Sequence, residues 1–247
     1  MAVTLEIRDS IAILRIDTPG KLNVLNTETM REIYNKLEDI EQKAKVLVIF
    51  GGEKAFAAGD DLNEIAKLDY EKAQTTEFMD FKWDRVLHTR IPVIAGVKGY
   101  ALGGGFELAL ACDMIFAAEN AVFGFPEVNL GLMPGFGGTQ LLSKIVGAKK
   151  ASELIMTGDF INAHQALELN IVNRIIETEK LEDEVINFAK RIAEKPLLSL
   201  LSIKEAIALS QNVGRDDGMK IERHMFRALC ATSDKKELVT AFLSKRK

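Results

Sequence analysis

Apolar and polar residues alternate over residues 3–7 and again over 11–16, a period of two that predicts a hairpin of strands turning at Asp9-Ser10. Pro19-Gly20 marks the next turn. The spacing then becomes helical. Met30, Ile33, Tyr34, Leu37 and Ile40 share one face, and Asn26-Thr27-Glu28-Thr29 offers capping side chains, so a helix is predicted through about Lys43. Residues 46–50 are continuously apolar, as in a strand buried on both faces, and end at Gly51-Gly52. Residues 64–90 are charged and helical in pattern, with Phe81 and Trp83 as packing anchors.

Residues 92–97 and 114–118 are two more strand-like runs, separated by a glycine cluster and a short apolar helical segment. Gly137-Gly138-Thr139 opens a helix to about Val146, residues 148–156 and 163–169 form further helices, and 171–176 form a last strand. Residues 179–194 are amphipathic, with Leu181, Val185, Phe188, Ala189 and Ile192 on one side, until Pro196 breaks the pattern. Two helices, 197–210 and 220–232, then flank a turn at Gly214 to Gly218. A helical tail without strands predicts an α/β core, residues 1–195, carrying a helical region, 196–247. Neither a low-complexity linker nor a convincing internal repeat interrupts this plan.

Composition narrows the function. A chain of 247 residues that is 47% hydrophobic can bury a sizeable core. The net charge of −4 provides no general attraction for nucleic acid or an anionic membrane surface. Cys112 and Cys230 have no short ligand spacing, and His88, His164 and His224 are scattered, so no metal site is expected. Cys112 lies in an apolar segment and reads as a small core residue. The N-terminus lacks the apolar core of a signal peptide, and no run approaches the roughly 20 apolar residues of a membrane helix. A cytoplasmic protein is expected.

The chemistry concentrates in residues 92–138. Clustered glycines at a helix start leave backbone N–H groups able to face a developing negative charge, the design of an oxyanion hole. The same glycines allow close helix–sheet packing. Glu107 and Glu127 punctuate the stretch twenty positions apart, too far to share one helix face. A helix, a turn and a returning strand could bring both to one pocket. Singly, Glu107 is also what a helix macrodipole favours in its first turn, and Glu127 is also an ordinary solvated loop acid. A dinucleotide-binding loop, with Glu119 on the ribose, is the competing use of the glycines, but GYALGGGF does not fit G-x-G-x-x-G.

The segments GYALGGGFELALACD and FGFPEVNLGLMPGFGGTQ resemble the enoyl-CoA hydratase/isomerase (crotonase) family. FGGEKAFAAGDDL upstream, LIMTGDFINAHQALELNIVNRII downstream and the terminal AFLSKRK extend the resemblance over nearly the whole chain. It implies a spiral of ββα units with a C-terminal helical region, assembled as a homotrimer or homohexamer. It also implies an acyl-CoA substrate, with no cofactor beyond the coenzyme A of that substrate.

By the same resemblance Glu107 and Glu127 are the catalytic pair. The N–H groups of Asp60 and Gly104 form the oxyanion hole, and Asp60, Asp61, Leu62, Asn63 and Gly104 bind substrate. Two features depart from similar hydratases. Asp60 replaces a small neutral residue, and Asn63 stands where a lysine often reaches the phosphates, a role that Lys21 or a C-terminal lysine of a neighbouring subunit would have to assume. Glu107 favours hydration, since members that shift double bonds generally lack a glutamate there. Isomerase, dehalogenase, decarboxylase, thioester hydrolase and ring-closing synthase activities are the alternatives within the family, and a non-catalytic RNA-binding member is the alternative outside catalysis.

Overall fold

The computed structural model describes residues 2–18, 20, 22–75 and 84–245. In chain order these form β1 (Val3–Arg8), β2 (Ile11–Ile16), α1 (Thr27–Lys36), α2 (Ile40–Lys43), β3 (Val46–Phe50), β4 (Ala55–Ala57), α3 (Leu62–Ile65), α4 (Tyr70–Thr75), α5 (Asp84–Leu87), β5 (Val93–Val97) and β6 (Tyr100–Leu102). There follow α6 (Gly104–Leu110), β7 (Met114–Ala118), β8 (Val122–Gly124), α7 (Gly138–Val146), α8 (Ala148–Thr157), β9 (Phe160–Asn162), α9 (Ala163–Glu168) and β10 (Arg174–Ile176). The chain ends in α10 (Leu181–Ala193), α11 (Leu197–Ser210), α12 (Arg215–Cys230) and α13 (Ser233–Ser244). Among the described residues no helix is long and apolar enough to cross a membrane.

Two sheets organise the core. One has strand order β1-β2-β3-β5-β7-β10 and the other β4-β6-β8-β9. Three times in succession a strand of the large sheet is followed by a strand of the small one and then by helix: β3 and β4, β5 and β6, β7 and β8. Each repeat pairs in parallel with the one before, so the chain climbs as a spiral of ββα units. The apolar alternation decides which face meets what. In β2 and β3, Ile11, Ile13, Val46 and Val48 pack under Leu181, Val185 and Ala189 of α10. Ala12, Leu14, Leu47 and Ile49 point the other way, into the main core with Phe106 and Phe123.

Most predicted elements are present, with shifted edges. The expected helix through Lys43 breaks at Asp39, whose left-handed backbone (φ 56°) separates α1 from α2. The last strand shortens to β10, because the N–H groups of Ile171 and Val172 bond to the Ala166 carbonyl in α9, at 2.9 and 3.2 Å, and not to a sheet neighbour. The turn expected at Gly214 to Gly218 is already helical: Gly214 caps α12 and Gly218 lies inside it. Phe81, Trp83 and Lys21 lie outside the described residues. The terminal helices rest on the core partly through Lys204 of α11, which reaches Asp113 at 2.7 Å and the Ile91 carbonyl at 2.9 Å.

Candidate functional site

The site is built where the second turn of the spiral meets the first and third. β6 ends at Leu102, and Gly103 turns the chain into α6 with φ 51°, a conformation that favours glycine. Space is equally restrictive. A Cβ on Gly105 would stand 2.1 Å from the Ala57 carbonyl oxygen, so α6 can lie against β4 only because that atom is missing. A Cβ on Gly103 would approach Glu127 Oε1 to 3.0 Å, and one on Gly104 would approach Asp60 Oδ1 to 2.9 Å. The glycines therefore bring two acids from different turns of the spiral onto the start of one helix.

The loop carrying Asp60 is held by residues 22–25. Ala58 N–H donates to Leu22 O at 3.0 Å, Leu25 N–H to Gly59 O at 2.8 Å, and Asp61 N–H to Leu25 O at 3.1 Å. This parallel bridge uses the residues on either side of Asp60 and turns the Asp60 N–H away from Leu25. Asn23 locks the clamp from within. Buried and left-handed (φ 52°), it donates from Nδ2 to the carbonyls of Ile16 and Phe56, both at 2.7 Å, and accepts from Thr18 N–H at 2.8 Å. Asn23 is hard to single out by sequence, since an asparagine between Leu22 and Val24 reads as a turn residue. Its only signal was polarity in an otherwise apolar LNVL run.

Glu107 is 1% exposed and lies one helical turn in from Gly103. Its Oε1 accepts two backbone N–H groups, from Phe136 at 2.8 Å and Gly138 at 2.7 Å, at the N-terminus of α7. Burial pushes its pKa up, while those two donors, aided by the helix macrodipole, oppose the shift. Glu127 sits in a 3₁₀ turn, Pro126–Leu130, that follows β8. It is not the solvated loop acid that composition allows. Burial, with the Glu107 charge adding to it, pushes its pKa up to about 7.

A cavity of about 350 Å³ opens between these elements, bordered by Gly103, Gly104, Asp60 and Glu127 and extending along Leu22, Leu62 and Leu130. A second of about 400 Å³ shares Asp60 and Glu127 and runs between Leu68, Tyr70, Met133 and Phe136. The expectation placed both glutamates in one pocket. Glu127 lines both cavities, whereas Glu107 is buried beside them, with Oε1 on the Phe136 and Gly138 N–H groups and Oε2 without a hydrogen-bond partner.

The remaining expected residues divide in two. Leu62 and Asn63 border the first cavity beside Asp61. Asp61 caps α3, accepting from Asn63 N–H at 2.8 Å and from Asn63 Nδ2 at 2.9 Å. The N–H groups of Asp61 and Asn63 are thus spent within the protein. Among the described residues no group of three or more His, Cys, Asp or Glu is arranged to hold a metal ion. Chemically the arrangement offers an enclosed carboxylate steadied by backbone donors, a second acid that keeps its proton near neutral pH, and backbone N–H groups at a cavity wall.

Known proteins share this arrangement of elements. The family model for enoyl-CoA hydratase/isomerase matches residues 6–247. A probable enoyl-CoA hydratase of Rhizobium meliloti is 39% identical over 244 residues, covering 98% of this chain and 95% of its own. The crotonyl-CoA hydratase of Syntrophomonas wolfei is 40% identical over 249 residues, covering 99% and 96%. The crystal structure of an enoyl-CoA hydratase subunit from Geobacillus kaustophilus superposes with a TM-score of 0.96 at 42% identity, covering 100% of this chain and 96% of that one. With a family model spanning nearly its whole length and a spiral of ββα units to match, this chain belongs to the enoyl-CoA hydratase/isomerase family and has the crotonase fold.

Proposed function

We propose that the protein is an enoyl-CoA hydratase that adds water across the 2,3 double bond of an enoyl-CoA thioester. The observation that carries this reading is the pairing of Glu107 and Glu127 in unlike environments at one helix start. Glu107, with two backbone N–H donors on Oε1, is favoured as the ionised partner and serves as base, while Glu127, raised to about 7 by burial, serves as acid. Glu107 takes a proton from water as the oxygen bonds to C3. The π electrons move toward the thioester, and the Glu127 proton is delivered to C2. The enolate charge that builds on the thioester oxygen meets the N–H groups of Asp60 and Gly104, and exchange through the next water returns the proton from Glu107 to Glu127.

In this reading the first cavity takes the thioester and its pantetheine arm along Leu22 and Leu62, and the second takes the acyl chain between Leu68 and Phe136. Coenzyme A enters only as part of the substrate. The Asn63 side chain, turned onto Asp61, provides no cation for the phosphates. The proposed assembly is a homotrimer, or a pair of trimers, in the cytoplasm.

Crotonyl-CoA tests the reaction directly, because hydration removes the ultraviolet absorbance of the conjugated enoyl thioester. Purified protein is expected to bleach that signal. Glu107→Gln and Glu127→Gln should each slow it by about 10²–10⁴-fold, the usual contribution of a general acid or base, while the circular dichroism spectrum stays native. Wild-type rates in both variants would remove the two glutamates from the mechanism.

A further inference from the structure

Among the described residues three buried side-chain oxygens have no hydrogen-bond partner, and all belong to carboxyl groups at this one place: Asp60 Oδ1, Glu107 Oε2 and Glu127 Oε2. Hydration uses two of these acids. In the proposed reaction Asp60 contributes its backbone N–H to the thioester oxygen, and its side chain is given no part. Yet that side chain is pressed against Gly104, within 2.9 Å of where a Cβ would stand, and borders both cavities. The charges acting on it are those of Glu107 from α6, Glu127 from the 3₁₀ turn and Glu64 from α3; Asp61 lines the first cavity beside it, Asp69 and Tyr70 the second, and among the described residues no lysine, arginine or histidine lines either.

A carboxylate here would set a fixed negative charge beside the two N–H groups that must stabilise an enolate oxygen. At such range and away from water, that repulsion opposes the transition state more than the ground state. A neutral carboxyl adds no such charge. We propose that Asp60 is a further titrating control on the reaction: its side chain must be protonated for turnover, and its ionisation shuts hydration off as the pH rises. Burial first, then the charges of Glu107, Glu127 and Glu64, push its pKa up to about 7, so the neutral form persists near neutral pH. Because the three acids interact, their protons leave in steps that belong to the cluster.

This inference rests on the hydratase reading, and its test separates the two. If the alkaline form is inactive through both Glu127 and Asp60, kcat/KM for crotonyl-CoA should fall about a hundredfold per pH unit on the alkaline side, about tenfold for each proton lost. Asp60→Asn and Asp60→Ala keep the backbone N–H and remove the ionisation, so the limb should relax to about tenfold per unit. Each variant is checked for native circular dichroism. The same alkaline slope in wild type and both variants overturns the proposal, as does a folded pair of variants inactive at every pH, which would make the carboxyl a direct participant. A wild-type protein that hydrates no crotonyl-CoA at any pH would instead sink the hydratase reading. The Asp60 role is then read from binding of acetoacetyl-CoA, an enolisable thioester, whose affinity should weaken above neutral pH in wild type and hold in Asp60→Asn. Equal pH dependence in the two proteins would overturn it.

Discussion

Two of the site's acids, Asp60 and Glu127, keep their protons to about pH 7, and this has a consequence for stability as well as for chemistry. An unfolded chain releases those protons near the ordinary values of 3.8 and 4.5. Between those values and about 7 the folded protein binds more protons than the unfolded one. The stabilisation is therefore fully present below the unfolded values and is lost as the pH rises through about 7. Urea midpoints should fall from pH 5 to pH 8 in wild type, and the double variant Asp60→Asn, Glu127→Gln should flatten that decline. An identical slope in the double variant would mean that the two acids are not held neutral by the fold. Residue chemistry thus places the site at a cost to stability, as strained or desolvated functional groups commonly do.

At the scale of elements, the N–H of Asp60 depends on a loop with only short strands to support it. β4 has three residues, and the bridge from Leu25 is the next support along the chain. Asn23 ties that bridge to β2 through the Ile16 carbonyl and to β4 through the Phe56 carbonyl. Asn23→Ala would leave two buried acceptors and the Thr18 N–H without this partner, and each orphaned buried group costs about 1–3 kcal/mol. The expected result is a protein destabilised by at least about 1 kcal/mol in urea titration, with its crotonyl-CoA rate reduced even where it remains folded, because the loop carrying Asp60 has lost its anchor. Wild-type turnover and stability in that variant would show that the clamp is redundant. Asn23 acts through the loop and is a positioning residue.

On the scale of the molecule, the C-terminal helices are under-covered. No residue of α11, α12 or α13 is buried, and Ile203, Ile207, Phe226, Leu238 and Phe242 are all exposed, Phe226 at 68% and Phe242 at 60%. Apolar surface of that extent on a few helices marks an interface in most soluble proteins. Light scattering at micromolar concentration is expected to give a mass that is a multiple of three chains. A stable species near 27.3 kDa would contradict that assembly. Removal of residues 220–247 should break the oligomer and weaken acyl-CoA binding, as expected of a segment that completes the site across the subunit contact. A folded, truncated protein that binds acyl-CoA normally would separate assembly from the site.

The sequence alone determined what depends on local period and local chemistry. Continuous apolar runs read as strands at Val46–Phe50 and Val93–Val97, and the apolar stripe of Leu181–Ala193 read as an amphipathic helix; only the structure laid that stripe on the large sheet. The order of motifs around Gly103 to Gly105 and Glu127 carried the family. The second sheet was not legible, because β4, β6, β8 and β9 have three residues each, too short for a period of two to register. Nor could sequence spacing show that Glu107 is enclosed while Glu127 lines the cavity, or that Asp61 and Asn63 spend their N–H groups on internal bonds. Only the tertiary structure decided the state of Asp60. A side chain's charge depends on its burial and on the charges around it, and here those charges come from α3, α6 and the turn after β8, elements that meet only when the spiral closes.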